Sequence, residues 1–149
     1  LVDLAKERSS TDWDLLDLGT GTGVIAIAAR MLGAHHCQGM DFDPQAVKVA
    51  RRNVRRNEVS LVKMSEVDVL DWSPERKWPV VVANLFSTIL QQAFPTIAEA
   101  IEEGGDIIVS GILHDQWDET NAVAKKSGLL FSQIVRKGKW MTARGTYAP

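Results

Sequence analysis

The sequence predicts an α/β fold: a doubly wound, seven-stranded, mostly parallel sheet with an antiparallel C-terminal edge strand. Three observations carry that prediction. Strand-like apolar runs alternate with helix-like stretches along the chain, the pattern of parallel strands joined by covering helices. The first strand-like run, residues 13–18, passes through Asp17-Leu18-Gly19-Thr20-Gly21-Thr22-Gly23 straight into an apolar stretch, residues 24–32. Such a junction presents a helix N-terminus to a ligand at the end of a strand. Two strand-like runs, 129–135 and 139–147, close the chain around a short turn through Gly138, which makes a hairpin and hence an antiparallel pair.

The elements follow in order. Residues 1–8 read as the end of a helix, with Val2 and Ala5 on one side, and Ser9-Ser10-Thr11-Asp12 as a polar loop. After strand one and the glycines, Val24-Ile25-Ala26-Ile27-Ala28-Ala29 is apolar on every side. That suits a helix pressed against a sheet, and Gly33 stands where a helix ends. Residues 35–41 form strand two. Asp43-Pro44 opens a helix, because the Asp side chain accepts from free N–H groups and Pro has none to lose in the first turn. The helix 45–56 sets Ala46, Val47, Ala50 and Val54 on one face, and residues 59–64 form strand three. Lys77-Trp78-Pro79 leads into Val80-Val81-Val82-Ala83, a run without alternation that reads as strand four, buried on both faces. A helix is expected over 87–101 with a break near Pro95, whose missing N–H interrupts the ladder. Gly104-Gly105 reads as a turn, 106–112 as strand five, and 115–127 as a helix ended by Gly128. Strands six and seven are the closing hairpin.

Bulk properties narrow the function. The chain has 149 residues, 45% hydrophobic and 24% charged, enough for one domain over 1–149 with its own core. A net charge of −2 supplies no global basic field for nucleic acid. The single cysteine, Cys37, excludes an internal disulfide and reads as a small buried hydrophobe. No apolar run reaches the roughly 20 residues of a membrane span, and no signal peptide is visible, so a cytoplasmic location without membrane contact is expected. The chain begins at Leu1 rather than Met, which leaves open that residues upstream of it are missing.

In a doubly wound sheet the ligand lies beyond the carboxyl ends of the strands. Those ends carry the glycine loop after strand one, Met40-Asp41-Phe42-Asp43 after strand two, Val67-Asp68-Val69 after strand three, and Asn84-Leu85-Phe86 after strand four. Asp41 lies 22 residues past Gly19, a spacing at which an acidic side chain accepts hydrogen bonds from a ribose diol. Both dinucleotides and S-adenosyl-L-methionine carry that diol. Gly21-Thr22-Gly23-Val24-Ile25-Ala26 fits the dinucleotide pattern G-x-G-x-x-A, so an NAD-binding domain is one reading. Asp17 opposes it: a carboxylate just before the loop repels a pyrophosphate and suits a cation such as the ammonium of a methionine tail. The chain also has no room for a separate dehydrogenase-type substrate domain.

Asp-Leu-Gly-x-Gly-x-Gly at 17–23, Asp41, Asp68 and the terminal hairpin together resemble the class I, Rossmann-like S-adenosylmethionine-dependent methyltransferases over nearly the whole chain. Asn84-Leu85-Phe86 stands where DNA and glutamine methyltransferases carry Asn-Pro-Pro-Tyr. With Ser110-Gly111-Ile112-Leu113 and Gly39-Met40-Asp41-Phe42-Asp43-Pro44, it is similar to the bacterial ribosomal protein L-eleven methyltransferase family (PrmA). That resemblance implies methylation of lysine side chains or N-terminal amines of a protein, of the ribosomal type. The family's N-terminal recognition domain and the Thr-rich stretch before its core are absent from this sequence. The chain is therefore either an excised catalytic domain or a shorter relative with another substrate. A small-molecule methyltransferase and a cofactor-binding module that needs a partner are the alternatives; the sequence does not address the oligomeric state.

The same resemblance assigns roles. Gly19, Thr20, Gly21, Thr22 and Gly23 line the methionine part, and Asp17 meets its ammonium. Asp41 binds the ribose, Phe42 packs on the adenine, Asp68 faces the adenine amine and the Val69 N–H the ring. Asn84 stands at the reacting centre, its amide oxygen holding the acceptor amine in line with the methyl group. Each has a local alternative. Asp17 could accept loop N–H bonds, Asp41 could cap a helix although Asp43 is better placed, and Phe42 could be core. Asp71 could replace Asp68 or start a turn, and Asn84 could be a helix N-cap. His35, His36 and His114 show no metal-ligand spacing, so no metal is expected. Lys48, Arg51, Arg52, Arg55 and Arg56 read as a solvated helix face.

Overall fold

The computed structural model describes residues 1–8 and 13–149; the polar loop expected at 9–12 lies outside the described residues. Seven strands form one sheet in the order β3-β2-β1-β4-β5-β7-β6, with the ranges given below. The chain divides into two compact units, Leu1–Val69 and Leu70–Pro149.

The first unit holds α1 (Val2–Glu7), β1 (Leu15–Leu18), α2 (Val24–Met31), β2 (Cys37–Asp41), α3 (Pro44–Arg56) and β3 (Val62–Glu66). β1 and β3 both run parallel to β2. All four residues of β1 are buried, which is why its sequence shows no alternation. α2 packs on all three strands and α3 on β2 and β3. Asp43 caps α3 as expected: its side chain accepts from the Gln45 N–H at 2.8 Å, with Pro44 in the first turn, a cap of about 1 kcal/mol. All three strands start later than expected. Trp13 is buried but precedes β1, β2 starts at Cys37 rather than at residue 35, and β3 starts at Val62 because Glu58 and Leu61 take left-handed backbone angles (φ 54° and 62°) that form the turn after α3.

The second unit holds β4 (Trp78–Asn84), α4 (Ser87–Ala100), β5 (Ile101–Leu113), a 3-10 turn (His114–Gln116), α5 (Trp117–Lys126), β6 (Leu129–Lys137) and β7 (Trp140–Tyr147). β5 runs parallel to β4, and β7 antiparallel to both β5 and β6. The hairpin thus places β7 between β5 and β6, and β6 is the outermost strand. The expected break at Pro95 does not occur; α4 runs through it. An interior Pro costs about 3 kcal/mol, and the burial of Leu90, Phe94 and Ile97, all 0% exposed, outweighs that at about 1.5–3 kcal/mol each. The expected Gly104-Gly105 turn is instead a bulge inside a longer β5. Trp78 pairs with Ile101 and Val80 with Asp106, so four residues oppose Pro79. Among the described residues no helix is long and apolar enough to cross a membrane.

Candidate functional site

The glycine loop is tied to the end of β2. The N–H groups of Gly19 and Thr20 both donate to the Met40 carbonyl at 2.9 Å, and Gly23 N–H closes back on Thr20 O at 2.9 Å. Gly23 is the residue before α2, in a left-handed conformation (φ 82°). A Cβ there would stand 2.9 Å from Met64 Cε and 3.1 Å from Ala50 Cβ, so conformation and space both demand glycine. At Gly21 a Cβ would meet nothing within 4 Å: this side of the loop is open to a ligand.

Asp17 lies behind the loop, 0% exposed. Its Oδ2 accepts from the Thr20 hydroxyl at 2.6 Å. Its Oδ1 is buried with no hydrogen-bond partner among the described residues. Burial pushes the carboxyl up from 3.8 to about 6; the Thr20 hydroxyl and the Ala26 backbone N–H pull it down, and the Asp41 charge raises it further. A buried carboxylate with one oxygen unmet is costly unless a cation or donor reaches it. The Ala26 N–H is a local backbone donor of the kind the capping alternative expects, but it leaves Oδ1 unmet.

Asp41 ends β2 and faces the loop from the other side. Its Oδ2 accepts from Gly21 N–H at 2.8 Å and its Oδ1 from Asp43 N–H at 3.0 Å. A carboxylate has about four acceptor positions, so two remain for a ligand. Phe42 is 72% exposed and therefore not core. The Val67 N–H donates to the Asp41 carbonyl at 2.9 Å, which brings the segment after β3 alongside Asp41. Asp68 follows with an exposed side chain, then Val69, which is buried. Asp71 is exposed in a turn, its alternative reading. The first unit thus gathers Asp17, the glycines, Asp41, Phe42, Asp68 and Val69 in one neighbourhood.

Asn84 belongs to the second unit. It is the exposed last residue of β4, in register with Ser110. It is not a helix cap: the residue before α4 is Phe86, 70% exposed and without a side-chain cap bond. No hydrogen bond among the described residues engages the Asn84 amide.

A family model described as ribosomal protein L11 methyltransferase (PrmA) matches residues 2–147. The chain belongs to that family. It is 37% identical over 131 residues to the ribosomal protein L11 methyltransferase of Chromohalobacter salexigens, a match covering 88% of this chain and 44% of that protein. With the same-named protein of Lactobacillus johnsonii it shares 32% over 142 residues, 95% of this chain and 45% of the other. The chain therefore spans less than half the length of these relatives. A crystal structure of ribosomal protein L11 methylase from Lactobacillus delbrueckii subsp. bulgaricus matches with a TM-score of 0.87 at 25% identity, over 98% of this chain and 76% of that one.

Three residues that sequence reading did not single out for the site also shape it in this PrmA-family chain. A Cβ on Gly39 would stand 2.5 Å from Met64 Sδ and 2.6 Å from Thr20 Oγ1, so a bare backbone there makes room for the hydroxyl that binds Asp17. An isolated glycine inside a strand was the available signal. Asn53 on α3 donates from Nδ2 to Thr22 O at 2.9 Å, a role no sequence pattern distinguishes from a polar surface residue. Gly111 sits in the β5 bulge at φ 86°, where a Cβ would stand 2.6 Å from Leu85 O and 3.3 Å from Asn84 Oδ1. That bulge lets β5 approach the backbone that carries Asn84.

Proposed function

We propose that residues 1–149 form one S-adenosyl-L-methionine-binding domain that transfers the methyl group to an amine of a protein, a lysine side chain or an N-terminal amine, as the family's name suggests for a ribosomal protein. The observation that carries the reading is the buried Asp17 with its unmet Oδ1 behind an open glycine loop. A cationic tail satisfies that oxygen, and a pyrophosphate would be repelled by it. When bound, the cofactor supplies a sulfonium-activated, electrophilic methyl group.

The chain's own residues bind and orient. Asp17 meets the ammonium directly or through water, and Gly19, Gly21 and Gly23 let the methionine part approach the backbone, with Thr20 and Thr22 completing the loop. Asp41 keeps two acceptor positions for the ribose hydroxyls. Phe42 offers an exposed ring to the adenine, Asp68 an acceptor to its amine, and Val69 a backbone N–H. Asn84 holds the acceptor amine through its amide oxygen. Displacement at carbon needs a neutral amine held in line and shielded from water, so positioning carries most of the rate.

Calorimetry with S-adenosylhomocysteine tests this. One-to-one binding at micromolar concentrations is expected, weakened by about 1–3 kcal/mol in Asp41→Ala, where a charged acceptor is lost. A folded protein that binds none at high micromolar concentration, or that binds NAD tightly, overturns the proposal. A second reading is a cofactor-binding module that acts with a partner. Single-turnover assays with peptides and free amines separate the two: tight cofactor binding without transfer to any acceptor supports the module.

A further inference from the structure

Linear spacing gave the histidines no ligand pattern, but folding does. Adjacent side chains in extended backbone point to opposite faces. His35 lies in a bend just before β2, and the two rings come together instead, with centroids 4.2 Å apart at 78°. Asp14, which precedes β1, joins them from a segment 21 residues earlier: ligand atoms of Asp14, His35 and His36 all lie within 4.8 Å of one another.

Backbone hydrogen bonds fix the two segments together. His35 N–H donates to Trp13 O at 2.8 Å, and Leu15 N–H to His36 O at 2.9 Å. The Asp14 carboxylate is held by the His36 backbone N–H at 2.9 Å, the kind of outer contact that orients a ligating carboxylate. His36 Nδ1 lies 3.5 Å from Asp14 Oδ1. Around a tetrahedral ion with bonds of about 2.1 Å, neighbouring ligand atoms stand about 3.4 Å apart. That pair is therefore already at ligand spacing, and the third atom needs a shift of at most about 1.4 Å, which the exposed His35 ring can make by rotation.

We propose that Asp14, His35 and His36 form a binding site for a divalent transition-metal ion of the zinc class. Two imidazoles and one carboxylate are the donor set such ions prefer over magnesium or calcium. Both imidazole side chains are exposed. Cys37, the next residue, is 2% exposed and turned into the core, so it is not a fourth ligand. The site precedes β1 and β2, whereas the glycine loop follows β1, roughly 16 Å further along an extended chain. The ion acts as a clamp on the start of two parallel strands and takes no part in methyl transfer.

The test is titration of tag-free protein with zinc chloride at pH 7.5, where imidazole ligands are neutral enough to bind. One-to-one binding with a low-micromolar dissociation constant is expected. His35→Ala and His36→Ala should each weaken it at least tenfold, whereas His114→Ala, in the second unit, should not. Saturating zinc should raise the thermal unfolding midpoint of the parent and leave that of the double His variant unchanged. Cobalt added in place of zinc should give a visible d–d spectrum that the double variant lacks. Absence of saturable binding below 100 µM (on the order of a hundredfold above what is expected), or equal affinity in parent and double variant, overturns the proposal.

Discussion

Replacing Asp17 with Asn should stabilise the ligand-free protein while disabling its ligand site. Asp17 has its carboxyl raised from 3.8 to about 6, mainly by burial. The sign follows from linkage. A carboxyl with a raised folded pKa binds its proton more tightly in the folded state, so folding is favoured when the group is protonated and loses stability as pH rises from 3.8 through 6. The full loss corresponds to about 2.2 pH units at 1.36 kcal/mol each, or about 3 kcal/mol at pH 7.5. Asn keeps one acceptor oxygen but puts an amide NH2 in place of the other, so the contacts from the Thr20 hydroxyl and the Ala26 N–H cannot both be kept at the strength a carboxylate gives them, and only part of the difference should be visible. The expected stabilisation is about 1–3 kcal/mol at pH 7.5, falling to about half that at pH 5 and vanishing below pH 3.8.

Urea unfolding of both proteins at pH 7.5 and pH 5 measures it, with calorimetry against S-adenosylhomocysteine alongside. The variant should bind at least tenfold more weakly at pH 7.5, because a cationic tail loses its counter-charge. Two results refute the reasoning: no gain in stability at pH 7.5, or the same gain at both pH values. Either would mean that Asp17 is not a charged group held against its preference.

Gly39→Ala should cost about 1–3 kcal/mol by overpacking, since its Cβ would fall 2.5 Å from Met64 Sδ and 2.6 Å from Thr20 Oγ1; denaturant unfolding reads the cost, and an unchanged midpoint would show that both neighbours give way freely. The same variant should bind S-adenosylhomocysteine more weakly, because displacing Thr20 unsettles Asp17. Asn84→Ala should leave stability within about 0.5 kcal/mol, as for an exposed residue, and leave cofactor affinity unchanged, while single-turnover methyl transfer slows at least a hundredfold; transfer at the parent rate would remove Asn84 from the reacting centre.

Much of this fold follows from local chemistry that a sequence displays. Asp43-Pro44 opens α3 through a side chain that acts on its own neighbours, and Val80-Val81-Val82-Ala83 lies in a strand whose burial its composition requires. Where expectation and structure part, distant residues decide. Pro95 does not break α4 because Leu90, Phe94 and Ile97 are buried around it. The glycine pair at 104–105 is absorbed into β5 because the register against β4 accommodates four residues opposite one. The site shows the same division. The placement of the glycine loop, Asp17 and Asp41 is legible because it depends on position relative to a strand end. Gly39 and Asn53 serve the loop through contacts set by tertiary packing, and Asp14 meets His35 and His36 only after β1 and β2 pair.

The two acids beside the loop explain why the site is built at a cost to stability. Asp41 raises the Asp17 carboxyl further, so the pair is mutually repulsive, and Asp17 is also stripped of water. A fold selected for stability alone would place a neutral residue at position 17, because burial holds the Asp17 carboxyl above its ordinary value. Both carboxylates instead stay fixed by short bonds, Asp17 to Thr20 and Asp41 to Gly21, so neither can turn away to relieve the repulsion. A ligand with a cation at one end and a diol beyond it offsets both terms at once: the cation neutralises the buried charge and the hydroxyls occupy the acceptor positions left on Asp41. An anionic pyrophosphate would add a third negative charge to the same neighbourhood. The electrostatics of the loop therefore favour a cationic over an anionic ligand.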